Sequence, residues 1–132
     1  MIAFDTNVLL RLLLNDEPRQ ARQAQALLDR ALSRSDQVLL PDIVLCELEW
    51  VLGAVYGVAK PEIVRTLRRL LDTRAFAFLD RGAVAGALRD YESGNGDFSD
   101  YLIGESAARA GASTTYTFDR ALRRAGGFDL AG

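Results

Sequence analysis

Histidine is absent from all 132 residues, and the chain has one cysteine, Cys46, and one lysine, Lys60. Without histidine there is no Ser-His-Asp triad, no imidazole general base and no His-ligated zinc; with one cysteine there is no internal disulfide and no thiolate cluster. A lone thiol fits a reducing compartment. The chain also lacks an excess of either charge. Sixteen basic against eighteen acidic side chains leave a net charge of -2, so a polyanionic partner must be met by a local patch. No apolar run is long and uncharged enough to span a bilayer, and no signal-peptide pattern appears. The expectation is a cytoplasmic protein with no membrane partner. What the sequence does have for chemistry is carboxylates.

An apolar fraction of 49% and a charged fraction of 26% are those of an ordinary globular domain. No repeat, linker or low-complexity stretch divides the chain, so residues 1–132 read as a single domain. Ile2 to Phe4 is a short buried strand opening into Asp5, and Val8 to Leu14 a short helix that Asn15-Asp16-Glu17-Pro18 breaks. Ala21, Ala24, Leu27, Leu28, Ala31 and Leu32 recur at helical spacing. Val38 to Leu40 is a second strand, followed by a helix from Pro41 to about Tyr56, where Gly57 stops it. Lys60 to Thr73 is helical with Arg65, Arg68, Arg69 and Arg74 largely outward. Ala75 to Leu79 is a third strand, Val84 to Tyr91 a short helix and Asp97 to Ala110 another. Ala112 to Thr117 is a β-rich run, and Phe118 onward gives a last short helix and a tail. Strands separated by helices need crossovers, which defines an α/β domain with a mainly parallel sheet. Such sheets bind ligands at strand carboxyl ends, where Asp5 and Asp119 fall.

Several acids are candidates. On a wheel of about 100° per residue started at Ile43, Glu47 falls near 40° between Ile43 and Val51, which reads as the middle of an apolar face. Glu49, near 240°, reads as solvated. A core ion pair with an arginine is the alternative for Glu47, because buried Glu is rare unless it is paired or binds metal. Asp97 and Asp100 are three apart at a helix start. Asp97 suits an N-cap, whereas Asp100 lies where capping no longer explains it. Asp119 is either an N-cap of the last helix or a ligand. If Asp5, Glu47, Asp100 and Asp119 converge, each pair about 4 Å apart repels by about 4 kcal/mol at an effective dielectric near 20. A divalent cation removes that conflict, and an all-oxygen donor set points to Mg²⁺ or Mn²⁺. Thr6 and Asn7 are expected to orient the Asp5 carboxylate.

Asp5-Thr6-Asn7 after the first strand, Ile43 to Leu52 on one helix, Asp97-Phe98-Ser99-Asp100 and Thr117-Phe118-Asp119-Arg120 occur in the order of the PIN-domain ribonucleases. In particular, the chain resembles VapC-type toxins of bacterial toxin–antitoxin pairs, from Ile2 to about Arg124. The resemblance implies a three-layer α/β/α sandwich around a central, mainly parallel sheet. It implies metal ligands or catalytic acids at Asp5, Glu47, Asp100 and Asp119, with Asp97, Thr6, Asn7 and Thr117 around them. It further implies a homodimer, an RNA substrate and a cognate VapB-like antitoxin. Ser113-Thr114-Thr115-Tyr116 departs from the family by being more polar than the usual strand, so this strand is expected at an edge or in unusual packing.

The chemistry implied is metal-dependent phosphodiester hydrolysis, in-line attack leaving a 5′-phosphate. Attack by the substrate's own 2′-OH is the poorer hypothesis without a histidine base. Candidate phosphate contacts are Arg65, Arg68, Arg69 and Arg74, a cluster that also reads as a merely solvated helix face, and Arg11 and Arg120, each near an acid. A phosphotransfer domain with an Asp after its first strand needs further acids beside it and a late lysine. Position 7 is Asn and the one lysine is Lys60, which argues against it. A degenerate PIN-like module that binds RNA or protein without cleaving is the alternative that retains the fold.

Overall fold

The computed structural model describes residues 1–123 and 125–132. Three short strands, β1 (Ile2–Ala3), β2 (Val38–Leu40) and β3 (Phe76–Phe78), form a parallel sheet with β2 in the middle. Ile2 is opposite Val38, and Val38 is opposite Phe76. Two helices separate each consecutive pair: α1 (Thr6–Leu14) and α2 (Pro18–Ser33), then α3 (Asp42–Ala54) and α4 (Lys60–Asp72). After β3 come α5 (Arg81–Ser93) and α6 (Phe98–Arg109), and then β4 (Thr115–Thr117), one turn of 3₁₀ helix (Arg120–Leu122) and β5 (Phe128–Leu130).

Local chemistry explains most boundaries. Asp5 caps α1 by accepting the Val8 N–H, and Asn15 ends it in the left-handed region at φ 52°. Pro18 sits in the first turn of α2, where its missing N–H costs nothing. Ile63, Val64, Leu67, Leu70 and Leu71 turn one face of α4 into the core, which gathers β2, β3 and the inner faces of α1 to α6. None of the described helices is long and apolar enough to cross a membrane.

The carboxyl-terminal region departs from expectation in three ways. The sheet is not continuous among the described residues: β4 pairs in parallel with β5 and the two stand as a separate ladder. Its strands are short, and Tyr116, at the middle of β4, is exposed, so few apolar side chains anchor it to the main sheet. The last helix is only a 3₁₀ turn, and part of what reads as a tail is β5. Phe128 accounts for β5. Its ring is buried against α6 at Gly104, where an added Cβ would stand 2.7 Å from the ring edge. Gly104→Ala is therefore expected to destabilise the protein by about 1–3 kcal/mol through overpacking, less about 1 kcal/mol regained in helix propensity. Urea unfolding checks this, and an unchanged midpoint would show that Phe128 yields freely.

Candidate metal and nucleic-acid site

The amino-terminal turns of α1 separate two clefts, and Asp5, Asn7 and Arg11 line both. The cleft toward α2 has a volume of about 310 Å³ and is bounded by Gln20, Gln23 and Leu27. The cleft toward α3, also about 310 Å³, is bounded by Thr6, Glu47 and Tyr56. Asp5 is placed by the end of β1 and fixed by its capping bond, 3.0 Å from the Val8 nitrogen to Oδ1. Thr6 does not orient Asp5 as expected: its hydroxyl donates to Glu47 Oε1 at 3.2 Å, tying α1 to α3. Asn7 is exposed in both clefts.

The assignment of faces on α3 needs correction. Glu47 is exposed, and Glu49 is the buried acid, 9% accessible. The inward arc holds Val44, Leu45, Leu48, Glu49 and Leu52, whereas Ile43 is 69% and Trp50 62% exposed. Because the helix is apolar nearly all round, apolarity could not say which side is buried. Glu47 therefore forms no core ion pair; it faces the Asp5 cleft. Glu49 Oε1 accepts the Phe98 N–H at 2.9 Å, the first amide of α6. Burial raises the Glu49 pKa, the Phe98 N–H lowers it, Asp97 and Asp100 raise it further, and Lys60 lowers it. The same surroundings push the buried Tyr91 hydroxyl up to about 12, burial first, then Glu49 and Asp97.

Asp97 is the N-cap residue of α6, as expected. Asp100 is part of the same cap, contrary to expectation: its Oδ2 accepts the Asp97 N–H at 2.8 Å. Asp119 Oδ1 caps the 3₁₀ turn by accepting the Ala121 N–H at 2.8 Å, and the Asp119 N–H donates to the Thr117 hydroxyl at 3.0 Å. That turn meets the start of α6, since Ala121 shares a cleft wall with Gly94, Asn95 and Tyr101. The acids thus fall into three neighbourhoods: Asp5 with Glu47, Asp97 with Asp100, and Asp119 beside the α6 loop. Among the described residues no three acidic side chains stand close enough together to hold one metal ion. The donor chemistry nonetheless fits a hard divalent cation, because Mg²⁺ needs only one or two carboxylates and keeps several waters.

Of the basic candidates, Arg11 lines the clefts; the Tyr56 hydroxyl and Asp16 hold its guanidinium charged, the latter at 2.6 Å. Arg65 pairs with Glu62, and Arg68 with Glu92 at 3.2 Å. Arg69 lines a different groove, with Leu14, Thr66 and Phe76. Arg120 is exposed beside Asp119, and Arg74 is exposed before β3. Asp42, at the start of α3, was not singled out in the sequence; one of its carboxylate oxygens is buried without a hydrogen-bond partner, and burial followed by Asp80 raises its pKa. Burial, then Asp42 and Glu49, push the Cys46 thiol up to about 11. The thiol is therefore neutral at pH 8. Iodoacetamide is expected to label it at least about tenfold more slowly than free cysteine, because only the thiolate reacts. Mass spectrometry of timed reactions checks this.

The α/β/α fold with parallel strands carries exposed carboxylates past β1 and β4, at Asp5 and Asp119. Residues 2–127 match the PIN domain family, and the chain belongs to that family. PIN domains are generally nucleases. No curated protein matches the chain.

Proposed function

We propose that this PIN domain is a Mg²⁺- or Mn²⁺-dependent endoribonuclease and the toxin of a VapBC-type pair. The observation that carries the reading is the cleft that Asp5 and Glu47 share at the start of α1, with Arg11 on its wall. Asp5 and Glu47 in this cleft would hold the ion, with Asp100 and Asp119 as further ligands from neighbourhoods that stand apart from it in this structure; the ion would supply charge neutralisation at the phosphate and lower the pKa of water. The chain's own residues do the rest. The Val8 N–H orients Asp5, the Thr6 hydroxyl orients Glu47, and Thr117 holds the turn that presents Asp119. Arg11 and Arg120 contact backbone phosphates, and Asp97 supports Asp100. The exposed apolar residues Ile43 and Trp50 on α3 and Val55 just after it support a homodimer contact. A VapB-like antitoxin is the partner that would occupy the clefts.

Cleavage of a mixed RNA pool tests the reading. Products with 5′-phosphates in Mg²⁺ or Mn²⁺, and none in EDTA, are expected. RNA binding without cleavage in any divalent metal would instead assign the domain to the non-cleaving binding modules.

A further inference from the structure

We propose that Glu49 is a positioning residue for the acids of α6. It clamps the first amide of that helix and so fixes where Asp97 and Asp100 stand relative to Asp5 and Glu47. The inference rests on the nuclease reading given above.

The geometry is that of a ruler. Glu47 and Glu49 are two residues apart on α3 and so point to different sides of it. Glu47 faces outward and is bound by Thr6 at the start of α1. Glu49 faces inward and binds Phe98 at the start of α6. One helix thus spaces the Asp5 neighbourhood from the Asp100 neighbourhood through two carboxylates. Phe98 has no accessible surface, so the amide that Glu49 takes belongs to a residue locked in the core.

A carboxylate buried in the inner face of α3 is costly to keep there without a hydrogen-bond partner. Leucine would fill the inner face of α3 without that penalty. What leucine would not supply is an acceptor for the Phe98 N–H, an orphan donor in the first turn of α6. The α6 start is also held from α5 and from its own loop, with the Phe98 ring edge-on to Tyr91. Gly94, Asn95 and Gly96 lead into it, the Lys60 ammonium holds the Gly94 carbonyl at 2.8 Å, and the Tyr101 hydroxyl accepts the Gly96 N–H at 2.9 Å. Glu49 is the bond that reaches across from α3. A shift of the α6 start would move both of its acids relative to Asp5 and Glu47.

The test uses Glu49→Gln, Glu49→Leu and Glu49→Asp in the full chain, with Mn²⁺ affinity by electron paramagnetic resonance and RNA cleavage against Mn²⁺ concentration. Gln retains an acceptor at the same reach and is expected within threefold of wild type in Mn²⁺ affinity, roughly the scatter of such measurements. Leu is expected to weaken Mn²⁺ binding about 10–100-fold, the range typical when support of a metal ligand is lost. The rate at saturating Mn²⁺ should change less than the concentration needed to reach it. Asp withdraws the acceptor by one methylene and keeps the charge; it carries the test if Leu fails to fold, and its Mn²⁺ affinity is expected to fall as that of Leu does. Folded Leu or Asp variants with wild-type Mn²⁺ affinity would overturn the assignment to Glu49 alone. So would a Gln variant as weak as Leu, because charge and not the hydrogen bond would then matter. A wild-type protein that binds no Mn²⁺ and cuts no RNA would overturn the nuclease reading and this inference together.

Discussion

Asp5→Asn is expected to lower the rate of RNA cleavage by about 10²–10³-fold, the cost of removing one group that meets charge developing in the transition state. The protein should remain folded. Only one Asp5 oxygen caps α1, and the asparagine side-chain oxygen can accept the same Val8 N–H, so the capping bond survives the change. What is lost is the negative charge, which matters only if the carboxylate holds a cation. Glu47→Gln should behave alike for the same reason, since its amide can still accept from Thr6. Asp29→Asn, on the exposed face of α2 and bonded only within that helix, serves as the control with unchanged activity. Circular dichroism and a cleavage time course on each variant check the set. Full activity in Asp5→Asn would remove the reason for assigning catalysis to these acids.

The second large effect is on stability. Mn²⁺ at about a hundred times its Kd is expected to stabilise the folded protein by about 2.7 kcal/mol, through binding to the native state alone. Two things contribute: the free energy of ligation, and relief of repulsion among the exposed carboxylates of neighbouring elements. EDTA should return the melting temperature to its metal-free value and stop cleavage in the same titration. The stabilisation should shrink as pH falls through the carboxylate range, because protonated acids no longer bind the ion. Thermal melts with and without Mn²⁺ at several pH values check both the size and the sign.

The legible parts of the fold were those set by local chemistry. Asp5 stood out because it interrupts an apolar run at the end of a strand, and the parallel sheet followed from strands separated by helices. Asn15 marks the end of α1, whereas α3 ends at Ala54, two residues before the expected Tyr56, with Gly57 at positive φ in the turn that follows. The buried face of α3 was not legible. Its angular positions were right, but Ile43, Trp50 and Val55 point outward, so counting apolar residues selected the wrong side. The burial of Glu49 is hidden from the sequence for that reason. The only sequence signal for it was its place on the Leu45, Leu48 and Leu52 side of the helix. Asp100 was separated from capping on spacing alone, although a residue three positions after an N-cap is where a reciprocal cap forms. The β5 strand escaped notice because its anchor, Phe128, packs on a glycine 24 positions earlier, a contact that no local pattern records.

Asp5, the N-cap of α1, and Asp100 on α6 are proposed to serve one ion, although each now makes its own capping bond. A double-mutant cycle on Mn²⁺ affinity tests this most directly, with Asp5→Asn, Asp100→Asn and the double variant. If both acids hold the same ion, the double variant should bind Mn²⁺ nearly as weakly as the worse single variant, with a coupling of about 0.5–3 kcal/mol. Fully additive losses, or two Mn²⁺ sites removed one by one, would contradict the claim.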